Sequence, residues 1–124
     1  MPSVAILGAS TNRAKFGNKA VRAFQRAGWR VHPVNPRESA VEGIATFASV
    51  EDLPERVDVL SVYLPPAVTL GLIDDLGDAQ PREVWLNPGA DDPQIIEAVE
   101  SEGLSVRTLC SIVNLGFSPS DFPD

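Results

Sequence analysis

Apolar positions along the chain fall into short unbroken runs that alternate with stretches of helical spacing. The run Ser3-Val4-Ala5-Ile6-Leu7 is apolar after its first residue and stops at Gly8, the pattern of a strand buried on both faces. Beyond a polar loop, Phe16, Ala20, Val21, Phe24 and Ala27 recur at the spacing of one helix face, and Gly28 supplies the stop. Arg30 to Val34 predicts a second strand, closed by Asn35-Pro36, and Val57 to Tyr63 a third, ended by Pro65-Pro66. Pro66 suits the first turn of a helix carrying Val68, Leu70, Leu72, Ile73 and Leu76. Glu83 to Leu86 predicts a fourth strand, followed by the turn Asn87-Pro88-Gly89. Asp91 or Asp92 would cap the next helix, Pro93 opens it, Ile95, Ile96 and Val99 form its buried face, and Gly103 ends it. Leu104 to Leu109 predicts the fifth strand.

Strands alternating with helices imply parallel pairing through right-handed crossovers. The expected fold is α/β and Rossmann-like, a five-stranded, mostly parallel sheet with helices on both faces. A length of 124 residues leaves room for one such unit, so residues 1–124 are read as a single domain. Residues 117–124 are set apart as a tail, Phe117 to Asp124 with Pro119 and Pro123, which could pack on the core, on a second copy or on nothing. No apolar run reaches the length of a membrane span, and the first residues lack the basic-then-apolar pattern of a signal peptide. A cytoplasmic location is therefore expected, which suits a chain whose only cysteine is Cys110.

In open parallel sheets, ligands bind beyond the carboxyl ends of the strands, where the strand order reverses. Four loops should meet there: Gly8–Gly17, Asn35–Arg37, Leu64–Pro66 and Asn87–Gly89. Turns call for Gly, Pro, Asn and Ser whatever a protein does, so their shared edge carries more weight than their composition. Gly8-Ala9-Ser10-Thr11-Asn12-Arg13-Ala14-Lys15-Phe16-Gly17 joins the first strand to the first helix. Its small residues let backbone N–H groups approach an anion, and the helix N-terminus adds partial positive charge. Ser10 and Thr11 offer hydroxyl donors, and Lys15 an ammonium.

Charge sharpens this reading. Residues 1–37 hold seven of the ten Lys and Arg and no acidic residue, whereas the remainder holds three cations against seventeen Asp and Glu. An acidic chain with one basic stretch repels nucleic acid while still attracting a small polyanion. Arg22, Arg26 and Arg30 read as a solvated basic face, and the cations flanking the first loop as functional. The loop is neither a G-x-G-x-x-G fingerprint nor a Walker A sequence. The second strand ends His32-Pro33-Val34-Asn35-Pro36-Arg37 without the carboxylate that NAD-binding folds place there. Arg37 instead suits a ribose bearing a phosphate. Coenzyme A and NADP both qualify, and plain NAD is disfavoured.

Gly8-Ala9-Ser10 with Lys15 and Gly17, then Val34-Asn35-Pro36-Arg37, Gly43, Asp52-Leu53-Pro54 and Val57-Asp58, resemble the stand-alone CoA-binding domain proteins. That family is similar to the N-terminal CoA-binding domain of the succinyl-CoA synthetase alpha subunit. The likeness runs from about Val4 to Gly116, nearly the whole chain. It implies coenzyme A or an acyl-CoA as ligand, with the pyrophosphate on the first loop and Lys15. Val34 to Arg37 would flank the adenosine 3′-phosphate, and Tyr63-Leu64-Pro65-Pro66 would wall the adenine or pantetheine side. The expected ligand-binding residues are therefore Gly8, Ala9, Ser10, Arg13, Lys15, Phe16 and Gly17, then Val34, Asn35, Pro36 and Arg37, then Tyr63, Leu64, Pro65 and Asn87. Where the family commonly has a glutamine before the glycine that follows the fourth strand, this chain has Asn87-Pro88-Gly89.

No set of catalytic residues is visible. The one histidine, His32, lies within a strand, and no second histidine or cysteine exists to build an imidazole or thiolate metal site. Asp74-Asp75 falls in a helix and Asp91-Asp92 at a cap, and adjacent helical residues do not face each other. Trp29 and Trp85 read as packing. Cys110 reads as a buried structural thiol, with a mixed disulfide to the coenzyme A thiol as the sharper alternative. The expectation is a CoA-binding module that is not an enzyme, with a homodimer or another protein as potential partner. A small NADP-binding protein or an acyl-CoA-handling enzyme is the alternative.

Overall fold

A computed structural model describes residues 1–124. The chain runs β1 (Ser3–Leu7), α1 (Phe16–Arg26), β2 (Arg30–Val34), β3 (Ala40–Val41), β4 (Ile44–Ala45), β5 (Val59–Val62), α2 (Pro66–Leu70), α3 (Ile73–Ala79), β6 (Glu83–Leu86), α4 (Pro93–Ser101), β7 (Val106–Thr108) and α5 (Ser111–Asn114). Short 3-10 turns occupy Val50–Asp52 and Pro119–Asp121.

Five strands form one sheet in the order β2-β1-β5-β6-β7, every pair parallel. The order reverses between β1 and β5, the switch point of a doubly wound sheet. Strand ends are level there, since Leu7 pairs with both Val34 and Val62, and Val62 pairs with Leu86. The alternating sides of β1 feed two cores. Val4 and Ile6 pack with Phe24 of α1 and Ile112 of α5, while Ala5 and Leu7 pack with Leu76 of α3 and Ile95 and Val99 of α4. Trp29 and Trp85 flank Phe24, with the Phe24 and Trp29 rings edge to face at 4.9 Å.

Several elements depart from the sequence reading. The helix expected from Pro66 through Leu76 is two helices. Gly71, a poor helix former, follows α2, and Leu72 N–H bonds Thr69 O at 2.9 Å, a tight i→i+3 closure that re-aims the chain. Val68 and Leu70 are consequently exposed, while Leu76 is buried. The third and fifth strands are shorter than expected, Val59–Val62 and Val106–Thr108. The β3–β4 hairpin is an addition. Its turn residues Glu42 and Gly43 both have positive φ (49° and 79°), as a two-residue hairpin turn of the right twist demands.

Segment 117–124 packs on the core. Phe122 is 1% exposed, and its ring meets that of Phe117 at 5.5 Å. Arg22 and Arg26 are not merely solvated. The Arg26 guanidinium sits 4.5 Å from the Phe122 ring centroid, and Arg22 donates to the carbonyls of Phe122 and Pro123. Arg30 forks onto Glu55, with nitrogen–oxygen distances of 2.8 and 3.0 Å.

Candidate functional site

At the switch point a cleft of about 600 Å3 opens between the ends of β1, β5 and β6 and the start of α1. Its floor is backbone. Gly8 has φ 86°, a conformation natural to glycine alone, and a Cβ there would lie 3.1 Å from the Tyr63 carbonyl oxygen. A Cβ on Gly17 would overlap the carbonyl oxygen of Gly8. These two glycines let the loop, the helix and the end of β5 close to backbone distance.

The α1 N-terminus opens into this cleft through Lys15, Phe16 and Gly17. Lys15 occupies the cap position in an extended conformation, no side chain caps the helix, and its first turn contains no acidic residue. Uncapped first-turn N–H groups and the helix dipole make such an end a seat for an anion. The loop is ordered internally. Ser10 Oγ accepts from the Asn12 N–H at 3.0 Å, Asn12 Oδ1 accepts from the Ala14 N–H at 3.0 Å, and Asn35 Nδ2 donates to the Ala9 carbonyl at 2.8 Å. Asn35 Oδ1 also accepts from the backbone of Arg37 and Glu38, at 2.7 and 3.2 Å. One side chain thereby links the first loop to the end of β2.

Ten of the residues expected at a ligand line the cleft together: Gly8, Ala9, Ser10, Lys15, Phe16, Gly17, Asn35, Tyr63, Leu64 and Pro65. Val34 and Pro36 line an adjoining, more apolar cavity of about 360 Å3, which shares Gly8, Asn35 and Leu64 with the first. Arg13 pairs with Glu42 at 3.3 Å, whereas Lys15 and Arg37 form no ion pair. Asn87 turns away from the cleft. It is 1% exposed, donates to Ser61 Oγ (3.0 Å) and the Val62 carbonyl (2.9 Å), and accepts from the Ser111 N–H (2.8 Å). Its successors Pro88, Gly89 and Ala90 line the cleft instead, a wall the turn sequence Asn87-Pro88-Gly89 signalled without saying which residue faces inward.

Tyr63 and Cys110 sit at the base of this edge. The Tyr63 hydroxyl is buried without a hydrogen-bond partner, near the Ser61 and Ser111 hydroxyls, which bond each other at 2.8 Å. Burial pushes its phenol well above the ordinary tyrosine range. Cys110 is half-buried at the start of α5 and is absent from the cleft wall. His32 lies outside the cleft, its Nε2 2.7 Å from Glu55 Oε2.

A family described as a CoA binding domain matches residues 2–116. The chain belongs to that CoA-binding family. It is similar to the alpha subunit of an ADP-forming acetate–CoA ligase from Pyrococcus furiosus, 33% identical over 50% of this chain and 14% of that one. An ADP-forming acetate–CoA ligase from Methanocaldococcus jannaschii is 28% identical over 60% of this chain and 11% of its own length. The chain thus spans only about a seventh or less of these ligases. Among solved structures, a conserved hypothetical protein from Pyrococcus furiosus superposes with a TM-score of 0.83 at 32% identity, covering 92% of this chain and 99% of that one. Within this CoA-binding domain, the uncapped helix end and the unpaired Lys15 fit the charge of a pyrophosphate, and the glycine floor fits its close approach. No helix is long and apolar enough to cross a membrane.

Proposed function

We propose that the chain binds coenzyme A or an acyl-CoA, with the pyrophosphate over the Gly8–Gly17 loop, and that it does so as a binding module without chemistry of its own. The observation that carries this reading is the α1 N-terminus, uncapped by any side chain, opening beside an unpaired Lys15 onto a floor of two obligatory glycines. Coenzyme A is long, anionic in its middle and less polar at its ends. Two adjoining cavities that share Gly8, Asn35 and Leu64 suit such a shape, the less apolar one for phosphate and the more apolar one for a flat base. Arg37, exposed and unpaired beyond β2, would meet the adenosine 3′-phosphate.

The non-catalytic part rests on what lines the cleft. Lys15 and Tyr63 are the only titratable side chains of the first cavity and Asp75 that of the second, and the Tyr63 phenol is held neutral by burial. No histidine or cysteine lines either cavity, and the buried Tyr63 phenol lies well above the working pH that a general base needs. Arg37 would serve NADP as well as coenzyme A, and family membership favours coenzyme A. Native mass spectrometry of protein purified from cells tests the ligand directly. A copurified mass of coenzyme A or an acyl-CoA supports the reading, and NADP in its place would overturn it.

A further inference from the structure

The anion loop is held from behind by a side chain that no ligand could reach. Asn18, in the first turn of α1, is 0% exposed. Its Nδ2 donates to the Ser10 carbonyl at 2.8 Å and to Glu42 Oε2 at 3.1 Å, and its Oδ1 accepts from Arg22 Nε at 2.8 Å. Two acceptors on one side and a guanidinium on the other permit a single orientation of the amide. Peptide planarity then turns the Thr11 N–H away from α1, because Ser10 O points toward it.

Arg22 carries the chain of contacts further. Its guanidinium also donates to the Arg13 carbonyl at 3.0 Å, and to the carbonyls of Phe122 (3.2 Å) and Pro123 (2.6 Å). Ser10 and Arg13, both within the loop, are thus fixed by two adjoining side chains whose outer support is segment 117–124. Glu42 completes the frame. At φ 49° it holds a conformation unfavourable for a residue with a Cβ, and its carboxylate meets both Arg13 and Asn18.

We propose that Asn18 is a positioning residue for anion binding, and that docking of segment 117–124 and binding of the anion favour one another through Arg22. The proposal rests on the anion-binding reading of the cleft. A loop already fixed in its binding shape loses less freedom when the ligand arrives. Coupling between two sites is reciprocal, so a bound anion must also tighten the docked segment.

Hydrogen–deuterium exchange on the full chain tests both halves, with coenzyme A as the probe ligand. In free protein, Asn18→Ala and the milder Arg22→Met should each speed exchange of amides 9–15 by about tenfold, while β5 and β6 amides keep their rates. Both variants should bind coenzyme A about tenfold more weakly. In wild type, saturating coenzyme A should slow exchange across 117–124, and Arg22→Met should abolish that response. Unchanged loop exchange in both variants would overturn the positioning role, as would equal acceleration across the whole sheet. A segment 117–124 indifferent to bound ligand would overturn the coupling. If wild type fails to bind coenzyme A, the functional reading falls, and the exchange of free protein still decides whether Asn18 and Arg22 hold the loop.

Discussion

Gly17 and Gly8 touch where a side chain would have stood: a Cβ at position 17 overlaps the carbonyl oxygen of Gly8. The obstruction is backbone, so it cannot rotate away as a side chain could. Gly17→Ala must push α1 off the end of β1 and open the Gly8–Gly17 loop. We expect a loss of about 1–3 kcal/mol of stability, the usual range for overpacking a tight site. Urea denaturation measures it. Stability equal to wild type would mean that helix and strand do not meet as closely as described.

Tyr63 gives a clean optical test because it is the only tyrosine. Its folded phenol titrates above the ordinary value of 10.0 because burial disfavours the phenolate. The neutral form is therefore preferred in the fold. Its contribution to stability is complete below pH about 10 and is lost as the pH climbs from there toward the folded value. Alkaline difference spectra should show no phenolate in folded protein at pH 10, and half phenolate in urea-unfolded protein. Tyr63→Phe removes a buried hydroxyl without a partner, so neutral-pH stability should hold or rise by up to about 1 kcal/mol.

Glu55 governs the acid side. The Arg30 fork, seconded by His32, holds its carboxyl down to about 2 from an ordinary 4.5. A lowered folded value means that the stabilisation is complete above pH 4.5 and fades as the pH falls toward 2. Wild type should exceed Glu55→Gln in stability at neutral pH, and the two should converge between pH 4.5 and 2. Denaturation midpoints at several pH values measure the gap. A constant gap would remove Glu55 from the acid response.

The strands and the edge where the loops meet were legible in the sequence because their signals are local. An unbroken apolar run such as Val4 to Leu7 needs no partner to be recognised, and Gly8, Asn35-Pro36 and Pro65-Pro66 mark the ends. What escaped depends on contacts between residues far apart in sequence. Arg22 and Arg26 have the spacing of a solvated face until Phe122 arrives from about a hundred residues away. Asn87 has turn chemistry, and only its pairing with Ser61 and Ser111 turns it inward. The β3–β4 hairpin offers two-residue strands, too short for any period to be seen. Val68 and Leu70 completed an apolar stripe on paper that the break at Gly71 dissolves.

In the proposed function the Gly8–Gly17 loop and Lys15 hold the pyrophosphate of coenzyme A. Isothermal titration of coenzyme A into wild type and Lys15→Ala tests it most directly, with dephospho-CoA, Arg37→Ala and NADP as controls. Wild type should bind coenzyme A more tightly than NADP. Lys15→Ala should weaken coenzyme A by about 1.5–3 kcal/mol through loss of one charge-assisted contact. Arg37→Ala should weaken coenzyme A while leaving dephospho-CoA nearly unchanged. Coenzyme A binding to Lys15→Ala with wild-type affinity, or NADP outcompeting coenzyme A on wild type, would contradict the account.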